Sequence, residues 1–279
     1  MLGFSLTGED TGRMIEVNQF EEITQIKMSR EEGGKPLYWV AAYLVDGLLI
    51  DTGCKHTADA LLKFLEEQSV KLIVNTHYHE DHIGANQLLK QKLGIEIFAH
   101  RESVPLINQI PKLYPYQEMV WGYPEPTEVD CLSEKLKTDH LHFEVVETPG
   151  HCNGHIALVE PEKGWCFSGD LFVSERPAVV RPEENITEII SSMKKLIDLK
   201  TDRLILFTSI GNVVQDGRRA LQSCIEYFRD LSQRAKQLEK KGLSIEAIRD
   251  KLFERESHLA AFTDGQFSSE NLIRAVLRA

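Results

Sequence analysis

Alternating apolar positions dominate the first part of the chain, and helical spacing takes over toward its end. Residues 1–37 alternate loosely (Ile15, Val17; Ile23, Ile26, Met28), which predicts one or two outer strands before Gly33-Gly34-Lys35-Pro36 breaks the pattern. Residues 38–45 and 48–50 are apolar runs joined by Asp46-Gly47, a two-residue turn that favours a tight hairpin. That hairpin delivers Asp51-Thr52-Gly53 at its end. Residues 58–67 place Ala58, Leu61, Leu62 and Leu65 at helical spacing and read as a surface helix. A buried strand at Leu72-Ile73-Val74, a helix over 85–93 and a short strand over 95–98 follow.

The segment 104–126 differs in kind. Pro105, Pro111, Pro115, Pro124 and Pro126 break up regular structure, and Tyr114, Tyr116, Trp121 and Tyr123 lie between them. A long irregular loop is expected here, serving either to line a pocket or to pack itself down. Alternation resumes at Leu141, Phe143 and Val145 and ends at Thr148-Pro149-Gly150-His151. A second hairpin (155–160, then 165–168) ends in Gly169-Asp170, a faint echo of the first. Asn185 is a good N-cap for a helix over 186–199, and 203–207 reads as a strand. From residue 218 onward amphipathic helices are expected over 220–239, 245–253 and 270–277. The expected division is therefore a main domain over 1–217 and a helical C-terminal region over 218–279.

Composition narrows the function. Apolar content of 42% and charged content of 27% are ordinary for a globular protein of 279 residues. A formal charge of −11, from 43 acidic against 32 basic residues, argues against nucleic acid or an anionic membrane as partner. Cys54, Cys131, Cys152, Cys166 and Cys224 are scattered, odd in number and form no C-x-x-C pair, so neither a disulfide framework nor a thiolate zinc site is indicated. The opening ten residues lack a basic n-region and an apolar h-region, and no apolar run approaches membrane-spanning length. The expectation is a reduced, cytoplasmic protein acting on a small molecule, whose C-terminal helices could also pack on a second copy.

One stretch carries the chemistry. Asn75-Thr76-His77-Tyr78-His79-Glu80-Asp81-His82 follows the strand at 72–74 and leads into the helix at 85–93. On extended backbone His77 and His79 point to one side, while Asp81 and His82 sit on the turn beyond. The chain has only 10 His, so three within six positions beside an Asp argue for metal ligands rather than a polar loop. Imidazole with carboxylate suits zinc, iron or manganese, and such a pairing can serve two ions side by side.

The order Asp51 after a hairpin, H-x-H-x-D-H at 77–82, Thr-Pro-Gly-His at 148–151 and Ser-Gly-Asp at 168–170 resembles the metallo-β-lactamase superfamily, with closest likeness to hydrolases of the glyoxalase II and lactonase type. The resemblance spans roughly residues 15–220. It implies an α/β fold, a four-layer αββα sandwich, with a metal site at one edge between the sheets. It further implies that His77, His79 and His151 bind one divalent ion, that Asp81 and His82 bind a second, and that Asp170 bridges them. Asp51 would support the ligands from behind, and His155 would be a hydrogen-bonded structural histidine. Zinc is the first expectation, with iron and manganese as alternatives. A hydroxide activated between the cations would attack an ester, thioester or lactone carbonyl, and Asp81 would orient it and pass its proton to the leaving group. Tyr114, Tyr116, Trp121 and Tyr123 are the candidate pocket-lining residues.

One position departs from the pattern. Where such proteins carry a His that completes the second site, this chain has Ile210, within Thr208-Ser209-Ile210-Gly211-Asn212. A hydrocarbon side chain cannot bind a cation, and the amide of Asn212 is a poor substitute. The second site is therefore expected to be weakened. Besides the hydrolase, the residues leave open a mononuclear iron dioxygenase acting on a sulfur substrate, and a degenerate member that binds without turnover.

Overall fold

A computed structural model describes residues 4–6 and 13–279, so the reading of the opening ten residues lies largely outside the described part. The first sheet comprises β1 (Phe4–Leu6), β2 (Arg13–Phe20), β3 (Ile23–Glu32), β4 (Lys35–Pro36), β5 (Val40–Val45), β6 (Leu48–Ile50), β7 (Leu72–Asn75), β8 (Glu96–Ala99) and β9 (Asp130–Cys131). Its order is β1-β2-β3-β5-β6-β7-β8-β9, with β4 pairing on β3. The pairs are antiparallel as far as β6 and parallel from β6 to β9. The second sheet runs β10 (Lys135–Lys137), β11 (His142–Glu147), β12 (Ile156–Glu160), β13 (Trp165–Gly169), β14 (Ile205–Thr208), β15 (Val213–Val214) in that order, with only β13 and β14 parallel.

The helices are α1 (Ala58–Leu65), α2 (Asn86–Leu93), α3 (Val104–Ile107), α4 (Pro115–Trp121), α5 (Ile186–Ile197), α6 (Gly217–Glu239), α7 (Ile245–Phe253), α8 (His258–Phe262) and α9 (Ser269–Arg278). None among the described residues is long and apolar enough to cross a membrane. The turn between β5 and β6 has Asp46 at φ +48° and Gly47 at φ +78°, the left-handed pair that suits a twisted two-residue hairpin. The sandwich is αββα, as the resemblance implies. Tyr43, Val74, Trp165, Phe167 and Phe207 fill the space between the sheets, with Phe167 and Phe207 stacked at 5.0 Å. Burying each such side chain contributes about 1.5–3 kcal/mol. Helices α1, α2 and α4 cover the outer face of the first sheet, while α5, α6 and α9 share one buried cluster on the second.

The segment 104–126 is more regular than its prolines suggest. Pro105 and Pro115 sit in the first turns of α3 and α4, where a missing N–H costs nothing and a fixed φ helps. Helix α8 is an addition to the predicted set, too short to show a period.

Candidate metal centre

The loop from Asn75 to Ala85 leaves the C-terminal end of β7, between β6 and β8, and is pinned to the end of the β5–β6 hairpin. Thr52 N donates to His82 O (2.8 Å) and Gly84 N to Gly53 O (2.8 Å). Any Cβ at Gly84 would lie 2.2 Å from Lys55 N, so only glycine lets the two loops meet. Asn75 and Asn86 exchange side-chain amide hydrogen bonds beneath the loop, and Thr52 Oγ1 donates to Asn86 Oδ1.

Asp51, itself at φ +60°, organises what stands above. Its Oδ1 accepts from Thr76 N (2.7 Å) and its Oδ2 from Thr76 Oγ1 (2.8 Å) and His82 Nδ1 (2.7 Å). Because Thr76 spends its hydroxyl proton on Asp51, its oxygen is free to accept from His77 Nδ1 at 3.1 Å. That leaves His77 Nε2 as the bare nitrogen. It lies 3.1 Å from His79 Nδ1, which is 2.9 Å from His151 Nε2. Glu184 Oε1 stands 3.3 Å behind His151 Nδ1 and orients that ring. Asp170 spans the site, with Oδ2 3.2 Å from His151 Nε2 and Oδ1 3.2 Å from His82 Nε2. Asp81 Oδ2 is 3.8 Å from His82 Nε2. The structure thus gathers His77, His79, Asp81, His82, His151 and Asp170 at one point, with Asp51 directly behind.

Two groups fit cations by their donor atoms. The ligating atoms of His77, His79, His151 and Cys152 all lie within 4.8 Å of one another, as do those of His77, His82 and Asp170. Asp81 Oδ1 and His82 Nε2 are buried yet make no hydrogen bond among the described residues, as expected of atoms aimed at an ion. Imidazole nitrogens and carboxylates are the donor set of a divalent metal.

The electrostatics agree. Burial, reinforced by neighbouring imidazoles, holds His77 well below the usual histidine range, so it stays neutral and able to coordinate. Burial and the Arg181 cation do the same to His79. Burial also disfavours charge on His82, but the carboxylates of Asp51, Asp81 and Asp170 outweigh it and raise that group well above its ordinary value. Burial pushes Asp81 up to about 6, against the pull of His82. Asp170 is buried too, yet His82 and His151 hold it well below the usual carboxylate range.

His155 lies outside the cluster of ligating atoms. Its Nε2 accepts from Asp170 N (3.0 Å), so Nδ1 carries the proton and donates to Thr148 Oγ1 (2.8 Å). Ile210 occupies the Thr208–Gly211 turn after β14 and brings only carbon. Asn212 is exposed.

A cavity of about 230 Å³ opens from Asp81, His151 and Asp170 into an apolar interior. Tyr116 and Trp121 line it, whereas Tyr114 and Tyr123 do not and are 44% and 39% exposed. The reason is helical: Tyr116 and Val120 share the inner face of α4, while Tyr114 and Tyr123 flank its ends. Sequence reasoning missed Glu184, Cys152, Glu80 and Arg181. Glu184 precedes the recognised cap Asn185 and Cys152 follows His151, but no spacing rule marks either; Glu80 and Arg181 meet only through the fold.

The family model for the Metallo-beta-lactamase superfamily matches residues 40–208. A hydroxyacylglutathione hydrolase, GloC, from Haemophilus influenzae is 33% identical over 181 residues, covering 58% of this chain and 82% of that protein. The solved structure of a beta-lactamase domain protein from Burkholderia ambifaria superposes with a TM-score of 0.63 at 16% identity, over 98% of this chain and 88% of the other. A structure of TTHA1623 in a di-iron-bound form gives a TM-score of 0.51 at 27% identity, covering 66% of this chain and 94% of that one.

Proposed function

Starting from the fact that the chain belongs to the metallo-β-lactamase superfamily and is a metal-dependent hydrolase of it, we propose that it cleaves an ester, thioester or lactone of a small molecule. The observation that carries this reading is the convergence of three imidazole nitrogens beside the spanning carboxylate of Asp170. His77, His79 and His151 would hold one ion and Asp81 and His82 a second, with Asp170 shared. Bound divalent ions supply an activated water and Lewis acidity toward a carbonyl oxygen. The residues do the rest. Asp51 and Glu184 fix the rings of His82 and His151. Asp81, buried beside His82 and Asp170 at the mouth of the cavity, is placed to orient the attacking water and to pass its proton to a leaving group.

Zinc suits this nitrogen and oxygen set, and iron is the alternative that the di-iron form of TTHA1623 keeps in view. Ile210 would weaken the second position, because among the described residues no further ligating group joins His77, His82 and Asp170 there. Residues 1–217 would form the catalytic unit and 218–279 the far wall of the cavity, through Cys224, Phe228, Phe262 and Phe267. Metal analysis of protein purified without added metal, joined to a screen of esters, thioesters and lactones, tests the reading. Turnover that depends on the metal and is lost in His79→Ala supports it. Iron content with oxygen uptake on a persulfide, and no hydrolysis, would replace it with the dioxygenase.

A further inference from the structure

Arg181 is 5% exposed and lines the same cavity as Asp81, His151 and Asp170. A guanidinium carries five N–H donors and is costly to bury unless they are used. Here they are almost idle. Among the described residues its side chain makes one loose ion pair, Arg181 Nη2 to Glu80 Oε1 at 3.6 Å, and no hydrogen bond; Nε is buried without a partner. A purely structural Arg–Glu pair normally closes to a two-pronged fork below 3 Å. That geometry is absent here, and Glu80 Oε1 instead accepts from Gln117 Nε2 at 2.7 Å. The carboxylates of Asp81, Asp170 and Glu184 line the cavity, yet none pairs with the guanidinium. Phe267 faces it, with the guanidinium carbon 5.0 Å from the ring centre, which fixes its position without satisfying a donor.

The remaining walls are mostly apolar, with Tyr116, Phe172, Met193, Phe228 and Phe262 among them. The space they enclose, about 230 Å³, has room for more than the oxyanion alone. A buried cation with unused donors inside a mostly apolar chamber, beside a cluster of metal-ligating groups, calls for one kind of ligand.

We propose that Arg181 receives an oxyanion of the substrate, so that the substrate is an amphiphile with a carboxylate, phosphate or sulfonate set against an apolar body. This identification of the substrate class rests on the hydrolase reading. The binding selectivity itself does not.

Calorimetric titration of the metal-loaded protein with octanesulfonate and with octanol separates the two. A sulfonate is a poor metal ligand and a good guanidinium partner, and both probes carry the same chain. Octanesulfonate is expected to bind about tenfold to a hundredfold more tightly than octanol, the range of a charge-assisted hydrogen bond. Arg181→Gln should remove that preference and leave octanol affinity unchanged, while Arg181→Lys should restore part of it. Unchanged octanesulfonate affinity in Arg181→Gln overturns the proposal. So does a preference that disappears on chelation while Arg181 is intact, since the oxyanion would then sit on the metal. Where Arg181→Gln does not fold, Glu80→Gln carries the test: it frees the guanidinium and should tighten octanesulfonate binding, and weaker or equal binding counts against the idea. A failed substrate screen with intact octanesulfonate selectivity would remove the hydrolase reading and leave the oxyanion site standing.

Discussion

Asp51 Oδ2 accepts from His82 Nδ1 at 2.7 Å while Asp51 Oδ1 accepts from Thr76 N at 2.7 Å, so one carboxylate fixes both ends of the His77–His82 stretch. Both partners are buried. Losing a group that orients a metal ligand typically costs 10- to 100-fold in affinity, by about the same order here. Asp51→Asn keeps the size but cannot accept all three bonds. Competition against a chromophoric chelator should show weaker binding of the ion at the His82 side; undiminished affinity would mean that Asp51 serves the fold alone.

Glu184 plays the matching part for His151. Glu184→Ala should lower affinity for the ion at His77, His79 and His151 by about 10- to 100-fold, whereas Glu184→Gln, which can still accept at Oε1, should recover much of it. Equal loss in both variants would point to general damage rather than ring orientation.

Ile210→His should raise affinity for the second ion, because it supplies an imidazole where the chain now has only carbon. Metal content per chain by elemental analysis checks this. The same content and affinity as the parent would show that the turn after β14 does not face the Asp81 and His82 side.

Metal uptake should release protons, and more of them below pH 6 than above it. His82 and His151 are both raised, so each must shed a proton before its Nε2 can coordinate. Affinity therefore rises with pH through that range. Below about 6 the Asp81 carboxyl also takes up a proton, and the second ion is lost first. Calorimetry in buffers of different ionisation enthalpy reads the release directly. A flat dependence on buffer at pH 7 would contradict it.

Asp46 links the two sheets: its carboxylate accepts from His140 N (2.7 Å) and pairs with His140 Nδ1 (2.8 Å). Partial burial opposes the charge, but the hydrogen bonds from His140 and Thr138 bring Asp46 down to about 2. Its contribution is present above its unfolded value near 3.8 and is lost as pH falls through about 2. His140 is raised by the same contact, so its share is complete below 6.5 and fades as pH rises through the raised value. Asp46→Ala should thus lower the melting temperature most between about pH 4 and 6.5, and less on either side. A penalty that does not change from pH 3 to pH 9 would assign it to packing.

The sequence by itself determined the local part of this protein. Period-two and helical spacing placed the β5–β6 hairpin, α5 behind Asn185 and α7 behind Ser244, because those signals act over a few residues. His77, His79, Asp81 and His82 were legible for the same reason: they lie within six positions. His151, Asp170 and Asp51 became partners only through an ordered set of motifs. Prolines in 104–126 read as breakers because composition does not say whether a proline falls in a first turn, and α3 and α4 were missed for that reason. The tertiary structure alone decided what no spacing encodes. It brought Glu184 behind His151 and Cys152 against the ligand cluster. It set Tyr116 and Trp121 into the cavity and left Tyr114 and Tyr123 outside, and it buried Arg181 beside Glu80 with its donors unused. Those relationships join residues far apart in the chain, and only the closing of two sheets and their helices on each other fixes them.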